Sequence, residues 1–96
     1  MKRNEAIKKL RELMPELNKL GVIRLSMFGS VARDEASDAS DLDLIVEFTP
    51  PVTFRKYFDA LNLIEDSLGM HVDLAEPQTL HPTIRKRVLE EALRVA

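Results

Sequence analysis

Phe28-Gly29-Ser30-Val31-Ala32-Arg33 and, separated from Ser30 by ten residues, Asp41-Leu42-Asp43-Leu44-Ile45-Val46-Glu47-Phe48 decide how this chain is read. An apolar run over residues 23–28 that ends in Gly-Ser predicts a short strand feeding a tight turn. Glycine suits such a turn, or a backbone that must lie close to a ligand. The turn offers N–H groups and a hydroxyl, which suit a phosphate. From Leu42 the alternation is clean. Leu42, Leu44, Val46 and Phe48 share one face, and Asp41, Asp43, Ile45 and Glu47 share the other. One face therefore packs on a core while the other presents acid. Two carboxylates spaced i, i+2 repel each other, and a hard divalent cation is the usual reason to keep both ionised. The plainer account makes Ser40-Asp41 turn chemistry and Asp43 a solvated strand residue.

Asp73 weighs against that plainer account. Like Asp43 it sits where strands disfavour Asp, between Val72 and Leu74 in a predicted strand over residues 70–75. If the two strands are neighbours in register, three carboxylates come to one side of the sheet and form a metal site. Helical spacing of Ile7, Leu10, Met14 and Leu17 predicts a leading helix over residues 3–20, with a kink or restart at Pro15 and a stop at Gly21. Residues 30–40 read as a short helical turn followed by a mobile loop. Pro50-Pro51 breaks the strand, and Thr53 is the expected N-cap of a helix that Gly69 stops. Phe54, Tyr57, Phe58, Leu61, Ile64 and Leu68 form its apolar stripe. A last helix is predicted over residues 83–95, with Pro82 at its start and Ile84, Val88, Leu89 and Ala92 as core positions. The loop between the first two strands permits antiparallel pairing, and the helix before the third permits a parallel crossover. The fold class is α+β: a small mixed sheet of about three strands with helices packed against it.

The bulk composition narrows the function. Ninety-six residues make one domain over residues 1–96, and 45% hydrophobic with 31% charged residues is ordinary for a globular protein. A net charge of −2 argues against direct nucleic-acid binding, because domains that grip phosphate backbones carry a basic surplus. With no cysteine there is no disulfide framework, thiol nucleophile or thiolate metal site. Neither a signal peptide nor a membrane span is visible, so a cytoplasmic protein is expected. Ser30 also has a reading as a helix N-cap, which is compatible with phosphate docking. Arg33, one turn on, is either a surface residue or a reach back toward the same phosphates. His71 and His81 read as surface positions, Tyr57 as helix packing, and Arg85-Lys86-Arg87 as a solvated face.

Phe28-Gly29-Ser30-x-Ala32-Arg33, then Ser40-Asp41-x-Asp43-Leu44, then Val72-Asp73-Leu74 resembles the nucleotidyltransferases of the DNA polymerase β superfamily. More closely the chain is similar to the minimal nucleotidyltransferase (MNT) proteins, which act as antitoxin partners of HEPN-domain ribonuclease toxins. The resemblance covers nearly the whole chain. It implies that Asp41, Asp43 and Asp73 are catalytic and hold two Mg2+ ions, and that Gly29 and Ser30, with Arg33, bind the phosphates of ATP. It implies transfer of AMP from ATP to a hydroxyl, a tyrosine, of the HEPN toxin. One departure is visible: many members have Gly after the Arg, where this chain has Asp34, adding negative charge near the phosphates. A non-catalytic antitoxin that neutralises its partner by occlusion is the alternative. Transfer to a small molecule or RNA end is disfavoured by the short chain and its acidic balance.

Overall fold

The computed structural model describes residues 1–35 and 41–96. Ser40 and most of the loop expected ahead of Asp41 therefore lie outside the described residues. The elements are α1 (Arg3–Lys19), β1 (Val22–Phe28), α2 (Gly29–Ala32), β2 (Leu42–Phe48), α3 (Phe54–Leu68), β3 (Val72–Ala75), α4 (Pro82–Glu91) and β4 (Leu93–Arg94). A short 3-10 turn, Pro77–Thr79, joins β3 to α4. The sheet runs β3-β2-β1-β4, with β1 antiparallel to β2 and β4, and β2 parallel to β3. The result is a mixed α+β architecture with four strands rather than about three.

α1 buries Ala6, Leu10, Met14 and Leu17 on one stripe and continues through Pro15. Pro15 is exposed, so the backbone carbonyl that it leaves without an intrahelical partner can face water. α3 begins where Thr53 Oγ1 accepts from the Lys56 N–H at 3.2 Å, and ends at Gly69, whose φ of 67° is the left-handed C-cap. Leu25 and Met27 of β1 pair with Val46 and Leu44 of β2, and with Val72 and Leu74 they form the sheet's buried face. α1 and α3 contribute to the same core.

Two expectations are corrected. Phe54 and Phe58 do not join the apolar stripe of α3: they are 85% and 51% exposed, while Ala60, Ile64 and Leu68 are buried. The last helix stops at Glu91, and Leu93–Arg94 pair with Met27 and Ser26 instead. The edge of β1 needs backbone partners, and this demand overrides helical periodicity at the chain's end. Val95 is buried beside this pairing, whereas α4 buries no residue. Ile84 and Leu89 are exposed, and Val88 and Ala92 are only partly covered. Among the described residues no helix is long and apolar enough to cross a membrane.

Candidate active site

The strand register determines where the acidic side chains stand. Phe28 pairs with Asp43 across the antiparallel β1–β2 ladder, and Asp43 pairs with Asp73 across the parallel β2–β3 ladder. Register partners share a face, so Phe28, Asp43 and Asp73 form one row across three strands. Neighbouring strands lie ~4.8 Å apart, so this row spans roughly 10 Å. Asp41, two residues before Asp43, adds a carboxylate on the same face one step earlier. The Leu42 N–H donates to the His71 carbonyl at 3.2 Å, which brings Asp41 and His71 side by side. Asp41 Oδ2 lies 3.4 Å from His71 Nδ1, and both side chains are exposed.

Repulsion is concentrated on Asp43. Partial burial pushes its carboxyl above the ordinary carboxylate range, the charges of Asp73 and Asp41 push it further, and Arg33 pulls the other way. The three carboxylates share a face without closing on a common point: among the described residues no three His, Cys, Asp or Glu side chains are grouped to hold a metal ion. The donor set still fits Mg2+, since all three are hard oxygen ligands whose mutual repulsion a divalent cation relieves.

Beside Asp43 the chain turns. Gly29 has a φ of 75°, and a Cβ built there would collide with the Asp43 carboxylate, 3.1 Å from Cγ. Gly29 thus serves two purposes, a left-handed backbone and close approach to an acidic side chain. The N-cap position of α2 falls on Phe28, so Ser30 lies inside the first turn instead of capping it. Gly29 and Ser30 occupy the first two helical positions, whose N–H groups have no partner within a helix. Arg33 ends α2 and pairs with Glu35 at 3.0 Å.

Asp34 has a φ of 60°. Asp tolerates this left-handed conformation better than most residues. Its Oδ1 accepts the Arg3 N–H at 3.1 Å, capping the start of α1 from 31 residues away. The extra negative charge is therefore committed to the first turn of a helix, where it is favourable.

α4 supplies residues that the sequence pattern assigned elsewhere. A groove lined by Phe28, Gly29, Arg33, Ile84, Arg87, Val88 and Glu91 runs between the Gly29 turn and this helix. Arg87 thus stands beside the turn, although it pairs with Glu91 at 3.3 Å. Arg85 braces the loop before α4, its Nη2 donating to the carbonyls of Gln78 and Leu80. His81 caps α4 through Nδ1, which accepts the Thr83 N–H. On the opposite flank, the Tyr57 hydroxyl donates to the Leu74 carbonyl. Burial raises the Tyr57 hydroxyl above its ordinary value, and the charges of Asp73, Glu76 and Glu65 add to the effect.

The sequence and the fold both match known proteins. The nucleotidyltransferase domain family matches residues 7–95. The chain belongs to that family. A relative from Methanocaldococcus jannaschii, named as a candidate protein adenylyltransferase, is 38% identical over 85 residues, covering 88% of this chain and 91% of its own length. Protein adenylyltransferase MntA of Thermococcus cleftensis is 35% identical over 88 residues, covering 92% and 83%. The solved structure of a candidate minimal nucleotidyltransferase superposes with a TM-score of 0.85 at 33% identity, covering 97% of this chain and 95% of that one. A fold of the same kind occurs in a complex of tri-AMPylated Shewanella oneidensis HEPN toxin with MNT antitoxin. There the TM-score is 0.68 at 14% identity, covering 98% of this chain and 71% of that one. This nucleotidyltransferase is accordingly an enzyme of the minimal type, homologous to protein adenylyltransferases.

Proposed function

We propose that this nucleotidyltransferase moves AMP from ATP to a hydroxyl, a tyrosine, of a HEPN-domain toxin and so acts as its antitoxin. The observation that carries the reading is the row in which Gly29 follows Phe28, Phe28 pairs with Asp43, and Asp43 pairs with Asp73. A turn with N–H groups free of helical partners at one end of the row, and carboxylates along it, supports the order that in-line transfer requires. The names of the curated relatives and a fold neighbour bound to AMP-PNP favour ATP as donor. Asp41, Asp43 and Asp73 are the residues that would hold two Mg2+ ions. Bound there, the ions would neutralise phosphate charge and acidify the acceptor hydroxyl.

The chain's own groups divide the remaining work. The Gly29 and Ser30 N–H groups, the Ser30 hydroxyl and Arg33 hold the β- and γ-phosphates. Asp73, at the other end of the row, takes the proton from the attacking hydroxyl. The new P–O bond forms at the α-phosphorus as the bond to pyrophosphate breaks. Positioning and charge compensation supply nearly all the catalysis in such a reaction, so loss of any one carboxylate costs orders of magnitude in rate.

Occlusion is the competing account, and the exposed Phe54 and Phe58 are the observation in its favour. Mixing the chain with ATP, Mg2+ and the protein of the adjoining gene, followed by mass spectrometry, tests the reading. A mass gain of AMP on a tyrosine supports it. Neutralisation that survives Asp41→Ala with Asp43→Ala replaces it with occlusion.

A further inference from the structure

On the β3 flank of the acidic row lies a groove of about 410 Å3 that the nucleotide chemistry leaves unused. Val52, Phe54, Phe58 and Tyr57 form its walls, with Glu76 among the lining residues. The two phenylalanines are among the most exposed apolar side chains of the described residues. Tyr57 meets Phe58 edge-on, with ring centroids 5.3 Å apart, which gives the wall a defined shape. Glu76 Oε1 is buried without a hydrogen-bond partner, while Oε2 accepts from Gln78. An unsatisfied buried acceptor is costly and is normally supplied with a donor. The groove is anchored to the site, because Tyr57 is tied to the carbonyl of Leu74, the residue after Asp73.

In-line displacement places the attacking oxygen opposite the leaving pyrophosphate. With the phosphates at the Gly29 turn, the attacking group must arrive from the Asp73 side, where this groove lies. We propose that the groove seats the acceptor segment of the partner polypeptide, with an apolar side chain between Phe54 and Phe58 and a basic side chain facing the Glu76 carboxylate. A basic side chain beside an apolar residue is the chemistry that these walls select. This assignment rests on the proposed transfer reaction for its direction, and names the surface that recognises the acceptor.

The test uses the full chain carrying Phe54→Ala with Phe58→Ala, and the protein of the adjoining gene as probe. Both positions are exposed, so the thermal melt of the variant stays within a few degrees of wild type. Calorimetry is expected to show affinity for the probe falling at least tenfold, with affinity for ATP in Mg2+ unchanged. Glu76→Gln is expected to weaken the probe's binding several-fold. Unchanged affinity for the probe overturns the assignment, as does a wild-type chain that does not bind it. Loss of ATP affinity in the double variant also overturns it, because the groove then serves the nucleotide. If the wild type binds the probe but transfers no AMP, the transfer reading fails, while the affinity comparison still decides the groove.

Discussion

Gly29→Ala tests how the turn and the acidic row depend on one another. Two costs are expected. An alanine held at a φ of 75° pays for the left-handed region, roughly 1–2 kcal/mol. Its Cβ also collides with the Asp43 carboxylate, and forcing that group aside costs typically 1–3 kcal/mol. For a domain of this size each kcal/mol lowers Tm by ~4–8 °C, so a fall of at least ~10 °C is expected. Gly69→Ala is the matched control. Its φ is 67°, yet nothing lies within 4 Å of the added Cβ, so only the conformational cost of roughly 1–2 kcal/mol applies. Asp43→Ala separates the two terms within one background. It removes the carboxylate while keeping a Cβ at 3.3 Å, so Gly29→Ala becomes cheaper by roughly 1–2 kcal/mol in a double-mutant cycle. Thermal melts in EDTA read the stability terms. AMP transfer by Gly29→Ala is expected to fall by two orders of magnitude, because Asp43 is displaced from the row. The reasoning is refuted if Gly29→Ala and Gly69→Ala destabilise equally, or if the cycle shows no coupling.

Asp34→Ala should cost roughly 1–3 kcal/mol, since it loses a helix cap and strains a left-handed position; Asp34→Gly should cost less, as chemical denaturation will show. Asp43 binds its proton more tightly in the folded state than in the unfolded chain, so its contribution to stability falls as pH rises from the ordinary carboxylate range through the elevated value. Asp43→Asn should therefore be the more stable protein at neutral pH in EDTA, with its advantage shrinking under acid; an advantage that persists at low pH contradicts this account. Mg2+ should raise the Tm of the wild type, by ~2.7 kcal/mol of stability at a hundred times its Kd, and should have no such effect on Asp41→Asn with Asp43→Asn.

The acidic face was legible because a period of two leaves little choice: once Leu42, Leu44, Val46 and Phe48 turn inward, Asp41 and Asp43 must face the other way. The length of the α3 crossover permits a parallel pairing, but the register that puts Asp73 beside Asp43 is set by the folded sheet. Thr53 and Gly69 bounded α3 by local chemistry alone. What escaped the pattern depends on neighbours. Phe54 and Phe58 are spaced i, i+4 and read as one stripe, but the buried face of α3 runs along Ala60, Ile64 and Leu68, roughly 100° around the helix from them. Leu93 continues the periodicity of α4 until the open edge of β1 claims it. Ile45, placed on the polar face, is nevertheless buried, in a region lined by Pro77, Leu89 and Ala92 that no local rule could locate. Arg87 looked like one of three surface cations, and only the path of α4 brings it to the Gly29 turn.

Because Phe28, Asp43 and Asp73 are aligned by main-chain ladder bonds, the spacing of the chemical groups is independent of the side chains on the outer turns of α3. Recognition and reaction are thereby separable design variables. Val52, Phe54 and Phe58 can be exchanged without retuning the carboxylates, whereas Tyr57, tied to the Leu74 carbonyl, stays with the reaction.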